Sequence, residues 1–185
     1  MMTQVVPPPY EGLADEIRAH WRQFPDKGLF FGLFAVWLAL FHFLGNGSVG
    51  YAGTSSLLEF MAIAYNSDNP ISDDGHGNLI PFLVLGILWW KRDELAALPL
   101  RTWWPALLLI IFALALHLVG YVVQQQRLSI MGLFFGLYGL TGLVWGPQWL
   151  RATAFPFCLF VFMVPLGSLT EAVTFPLRLM VTWIV

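Results

Sequence analysis

Residues 103–123 read WWPALLLIIFALALHLVGYVV, a run without Asp, Glu, Lys or Arg. A helix rises 1.5 Å per residue, so a run of about 20 apolar residues crosses the hydrocarbon core of a bilayer. Four further apolar stretches follow the same logic: Gly28–Leu44, Leu79–Trp90, Ile130–Trp145 and Ala152–Leu166. With 58% hydrophobic and 11% charged residues in 185, a soluble core of this size could not hide the apolar surface. Backbone groups in lipid must be bonded within their own segment, so the expected class is all-α: a polytopic transmembrane helical bundle. Leu79–Trp90 reaches spanning length only if its helix begins within the preceding HGNL. Ala152–Leu166 carries Pro156 and Pro165, which a membrane helix tolerates when neighbours bond the freed carbonyls. A sixth apolar stretch begins at Thr170 and runs to Val185. The expected organisation is a polar cytoplasmic segment, 1–27, and a transmembrane domain, 28–185, with five spans and the start of a sixth.

Direction follows from the nine Lys and Arg residues. With the N-terminus inside, Arg18, Arg22, Lys27, Lys91, Arg92, Arg101 and Arg151 fall on the cytoplasmic side, and Arg127 and Arg178 outside. The 46–78 loop has none, which places it outside under the positive-inside rule. Trp89, Trp90, Trp103, Trp104, Trp145 and Trp149 then form an inner interfacial belt. The N-terminus lacks a signal-peptide core, so a multi-pass protein of the plasma (inner) membrane with a cytoplasmic N-terminus is expected. Within the outer loop, TSSLLEFMAIAY (54–65) is apolar but too short to span. It fits a short interfacial helix with Thr54 or Ser55 as N-cap. Gly132, Gly136, Gly139 and Gly142 recur at three- and four-residue spacing, and would let another helix approach one face of the fourth span.

Candidate chemistry gathers at DDGHG (73–77), where Asp73, Asp74 and His76 stand at the lip of a span. The histidine is either part of an outer-face site or the turn that starts the helix, with Gly75 and Gly77 allowing a sharp turn. Three ligands without a second His or Cys cluster do not make a zinc site, so no metal is expected. Arg127, beside Ser129, flanks the membrane or binds a carboxylate. Arg178 and Glu171 are ionisable groups in a hydrophobic segment, a functional hint by default. His42 and His117 lie within spans and should bond to neighbouring helices. Cys158, amid Phe, Leu, Val and Pro in FPFCLFVFMVP, has nothing to lower its pKa and is expected to pack in the core. No GxSxG, HExxH, Walker or dinucleotide motif is present, so no cofactor is expected. With a net charge of −2 and no basic block, nucleic acid is not an expected partner.

DDGHGNLIPFLVLGILWWKR resembles the SHG-x-L-x-P-F segment, ending in Trp and basic residues, of the exosortase/archaeosortase family. LSIMGLFFGLYGL, FPFCLFVFMVPL and PLRLMVT follow in the family's order, so the resemblance covers about residues 60–185. It implies a membrane cysteine transpeptidase that cuts C-terminal sorting signals from exported proteins and transfers them to a surface anchor. In bacteria these signals are of the PEP-CTERM type and accompany exopolysaccharide genes. The implied catalytic set is a Cys in a CSG-like motif with a later Arg and His. All lie beyond Val185, so no catalytic residue is assigned here; Cys158 does not match that motif. The expectation is an N-terminal portion of such an enzyme. Its outer-face site would involve His76, Asp74, Arg127 and Arg178, with the lipid bilayer, a sorting signal and a missing C-terminal half as partners. Two other classes compete: a membrane scaffold or transporter subunit with a polar outer vestibule, and an intramembrane hydrolase pairing His76 with Ser129 or Cys158.

Overall fold

The computed structural model describes residues 24–46, 54–66 and 74–165, together with positions 12, 15, 17–18, 21–22, 175–176 and 179–182. Every regular element among them is helical, as expected. Helix α1 is Lys27–Phe43 and α2 is Leu57–Tyr65. A 3-10 turn, Asp74–Asn78, leads into α3, Ile80–Trp90, and the short α4, Arg92–Ala96. A second 3-10 turn, Trp104–Ala106, runs into α5, Leu107–Val122; α6 is Gln126–Trp145 and α7 is Pro147–Cys158. The chain then continues as a 3-10 segment, Leu159–Met163. By length and composition two helical runs can cross a bilayer, Trp104–Val122 and Gln126–Trp145, while Lys27–Phe43 is apolar but shorter.

Several boundaries differ from the hydropathy reading; α7, for one, ends at Cys158 rather than Leu166, the chain going on as a 3-10 segment. Helix α6 starts at Gln126 rather than Ile130, and α7 at Pro147 rather than Ala152. The added stretches mix Gln126, Arg127 and Ser129, and Pro147, Gln148 and Arg151, with few apolar residues, so apolar content does not mark them, yet they are good helix starts. Pro147 occupies the first turn, where its missing N–H costs nothing. Gly146, at φ 97°, makes the break between the two helices; a Cβ there would also lie 2.8 Å from Arg101 O.

Helix α6 is the centre of the bundle, and its glycines open it on three sides. A Cβ at Gly132 would lie 2.7 Å from Ala113 O, and one at Gly139 2.9 Å from Ile110 Cγ1, both on α5. At Gly136 it would lie 1.8 Å from Trp37 Cζ2 on α1, and at Gly142 2.5 Å from Leu150 Cδ1 on α7. The row was expected to serve one helix. At 3.6 residues per turn, steps of three and four do not hold a single line, and the row meets three neighbours. Trp37 lies against α6, its Nε1 donating to Leu133 O at 3.0 Å.

The prolines of α7 and of the segment that follows it explain what flanks α3. Pro156 lacks the N–H that would bond Ala152 O in an α-helix, and Lys91 Nζ donates to that carbonyl at 3.4 Å. Pro165 lacks the N–H that a continuing 3-10 turn would give Phe162 O, and His76 Nε2 takes that place at 3.0 Å. The donors stand at opposite ends of α3 and join it to the broken helix at two levels. Neighbouring side chains thus bond the carbonyls that the two prolines free.

The two ends of the bundle differ in chemistry. At one, Trp145 Nε1 donates to Pro25 O at 3.2 Å, Arg101 N donates to Trp145 O at 3.4 Å, and Arg92 sits 4.8 Å over the Trp89 ring. Lys27, Lys91 and Arg151 belong to the helix ends that meet there. The opposite end holds α2, the Asp74–Asn78 turn, the start of α6 and the close of the 159–163 segment.

Candidate functional site at the end holding DDGHG

The nine residues of α2 start on a side-chain cap. Ser56 Oγ accepts from Glu59 N at 3.2 Å, and Thr54 Oγ1 accepts from Ser56 N at 3.1 Å while donating to Glu59 Oε2 at 2.5 Å. The N-cap is thus Ser56, one residue past the expected Thr54 or Ser55. Thr54 serves the cap instead, through its hydroxyl. His42 Nδ1 bonds Ser56 Oγ at 2.9 Å, which ties α1 to this cap. Helix α2 thereby delivers Tyr65, only 8% exposed, to the space beside the Asp74–Asn78 turn.

Tyr65 is the functional candidate that sequence reading missed. Its hydroxyl donates to Met163 O across the bundle. Burial, and then the charge of Asp74, push the Tyr65 phenol well above the ordinary tyrosine range. The hydroxyl therefore keeps its proton and remains a donor. A Cβ at Gly77 would lie 2.6 Å from Tyr65 Cε1, so this glycine gives room to the ring. It does not supply a left-handed turn: among the described residues Gly146 is the glycine with positive φ. The sequence signal was faint, a lone Tyr closing a short apolar helix 12 residues before a glycine.

Three of the expected site residues are brought to this end. Asp74 is buried, 8% exposed, close enough to Tyr65 to act on its phenol. His76 is exposed and bonds Phe162 O. A carbonyl only accepts, so Nε2 carries the hydrogen. Arg127, half-buried at the start of α6, donates from Nε to Pro165 O at 2.8 Å. His76 and Arg127 thus meet on one short piece of backbone, together with Tyr65. Asn78 Nδ2 donates to Asn66 Oδ1 at 3.0 Å and ties the turn to the end of α2. Asp73, Glu171 and Arg178 lie outside the described residues.

A second polar cluster sits between α1, α5 and α6 at the same end. Asn46, fully buried, donates to Gly120 O at 2.6 Å and to Ser129 Oγ at 3.4 Å. His117 Nε2 bonds Leu44 O at 3.1 Å, so His42 and His117 both bind neighbouring segments, as expected. Ser129 is committed to Asn46 and His76 to Phe162 O, and the structure does not bring the two together as a hydrolase pair.

Cys158 departs from its expected core position: it is exposed on α7. The proline-broken stretch turns that face outward, with Phe155 67% exposed beside it. Its apolar crevice, about 150 Å³, includes Phe134, Tyr138 and Phe157. A larger cleft of about 580 Å³ between α1, α3, α6 and α7 is lined by apolar side chains such as Phe34, Val84, Leu137 and Phe160.

An all-helical membrane bundle with a carbonyl-clamping polar end is the class these observations define. The family model described as transmembrane exosortase (Exosortase_EpsH) matches residues 69–185, from the loop before His76 through α7 and onward. The chain belongs to the transmembrane exosortase family. Comparison with curated proteins and with solved structures gave no match in either case.

Proposed function

We propose that this chain forms the N-terminal part of a membrane cysteine transpeptidase that processes C-terminal sorting signals of exported proteins. Family membership over residues 69–185 is the observation that carries the reading. In this reading the protein crosses the plasma (inner) membrane five times and begins a sixth span. The segment 1–27 is cytoplasmic, and the end holding Tyr65, Asp74, His76 and Arg127 faces outward, with Arg178 belonging to the same outer site.

The reaction is a two-step acyl transfer. The thiol gives its proton to the base that the resemblance implies and attacks the scissile carbonyl as a thiolate; the C–N bond breaks, and the amine of the tail leaves with that proton as a thioester forms. A nucleophile on the acceptor then attacks the thioester and releases the thiol. Cys158 is not assigned the thiolate: it lines an apolar crevice with Phe134, Phe157 and Val161 and does not match the CSG-like motif that the resemblance implies. The nucleophile belongs to the CSG-like motif that the family resemblance implies elsewhere.

The test is co-expression of the full gene product with an exported reporter ending in a PEP-CTERM-type signal. Intact mass should show the reporter shortened at its C-terminus only when the gene is present. A reporter of identical mass with and without the gene would end the proposal.

A further inference from the structure

The segment 162–165 is held in an unusual way. The chain leaves its 3-10 turn at Val164, φ −74° and ψ 119°, so the carbonyls here have lost their helical partners. Donors from three separate elements replace them: His76 on Phe162 O, the Tyr65 hydroxyl on Met163 O and Arg127 Nε on Pro165 O. Met163 is buried, at 7% exposed, so its carbonyl cannot simply be left to water. A lone bond leaves a peptide segment free to pivot. Three bonds at separate points, from α2, the Asp74–Asn78 turn and α6, fix both its position and its direction.

We infer that Tyr65, His76 and Arg127 are positioning residues: their clamp holds the backbone of 162–165 in place, and acyl transfer depends on that segment being held. This rests on the proposed function for the identity of the reaction, while the clamp itself rests on the three contacts. The link to rate is geometric. A displacement of about 1 Å in a reacting group can cost about a hundredfold in rate. Releasing one of three points should therefore slow processing without unfolding the bundle.

The experiment has a structural and a functional arm, both in the full gene product with Cys158→Ala; the labelling arm also replaces the cysteine of the CSG-like motif by alanine, so that Val164→Cys is the thiol that is read. Val164→Cys supplies a buried reporter for a membrane-impermeant maleimide applied to intact cells. With the clamp intact, labelling should be slow. Tyr65→Phe, His76→Ala and Arg127→Ala should each speed it severalfold, and His76→Gln, whose amide N–H can still reach Phe162 O, should restore protection. The functional arm, in the Cys158→Ala background without the reporter, measures sorting-signal processing per folded molecule extracted in detergent. It should fall about tenfold or more in the same three variants and recover with His76→Gln. Labelling that does not change on any of these substitutions overturns the clamp. Faster labelling with unchanged processing per folded molecule overturns the positioning role. If the unsubstituted chain processes nothing, the proposed function and the catalytic half of the inference fall together, and labelling still decides the clamp.

Discussion

Met163 O can only accept, so the Tyr65 contact lasts only while the phenol keeps its proton. Burial and the neighbouring Asp74 raise the Tyr65 pKa above its ordinary value of about 10. As pH rises past the ordinary value, the unfolded chain releases this proton while the folded chain retains it. The unfolded state then binds fewer protons, and stability falls with pH. The contribution of Tyr65 is thus fully present below about pH 10 and is lost as pH rises from there toward the folded-state pKa. Tyr65→Phe removes this slope. At neutral pH it should cost about 1–3 kcal/mol, because Met163 O is left buried without its donor. Thermal unfolding of detergent-extracted protein from pH 8 to 11.5 should show the two curves converging at the alkaline end. Parallel curves would mean that the phenol ionises as freely in the folded chain as in the unfolded one.

At the scale of elements, α1 and α6 meet through one glycine. A methyl at Gly136 would overlap Trp37, whose indole must then move and give up its bond to Leu133 O. Overpacking of this kind costs about 1–3 kcal/mol, and a lost buried hydrogen bond about 1 more. Gly32 lies on the same α1 with nothing within 4 Å of an added Cβ, so an alanine there should be neutral or slightly stabilising. Gly136→Ala should lower the unfolding midpoint clearly and Gly32→Ala should not. Trp37→Phe should relieve part of the Gly136→Ala effect by vacating the space. Equal midpoints for the two alanine variants would show that α1 can shift to accept the methyl.

The same contrast shows what was legible beforehand. Hydropathy located the body of α1 within a residue at each end, because its limits coincide with the limits of apolar content. It misplaced the starts of α6 and α7, where Gln126–Ser129 and Pro147–Arg151 are helical although half or more of their residues are polar or proline. The glycine spacing announced close approach, but sequence spacing cannot name the partner, and the row turned out to meet three helices. His76, Arg127 and Asp74 stood out as polar groups beside apolar spans. Their common target did not, since Phe162 lies 86 residues from His76 and Pro165 lies 38 from Arg127. Tyr65 escaped notice for the same reason: its partner is 98 residues away.

Taken whole, the molecule separates its charges along the bundle. Lys27, Lys91, Arg92, Arg101 and Arg151 belong to helix ends and connections at the tryptophan-rich end, while Arg127 starts α6 at the other, with Asp74 and His76. Carrying the first group across a bilayer is far costlier than leaving it inside, since Lys and Arg near span ends set orientation through the positive-inside rule. The Lys- and Arg-free 46–78 loop should be the segment that is exported. A reporter active only outside the cytoplasm should therefore work when fused after Asn69 and fail after Glu94, and a reporter fluorescent only in the cytoplasm should do the opposite. These two sites bracket α3, so opposite behaviour at them also tests whether the Asp74–Trp90 unit crosses the membrane with only 11 α-helical residues and its 3-10 lead-in. Identical behaviour at both sites would make α3 a re-entrant element. A full reversal would turn the Tyr65–His76–Arg127 end toward the cytoplasm, where it could not meet a substrate that has already been exported.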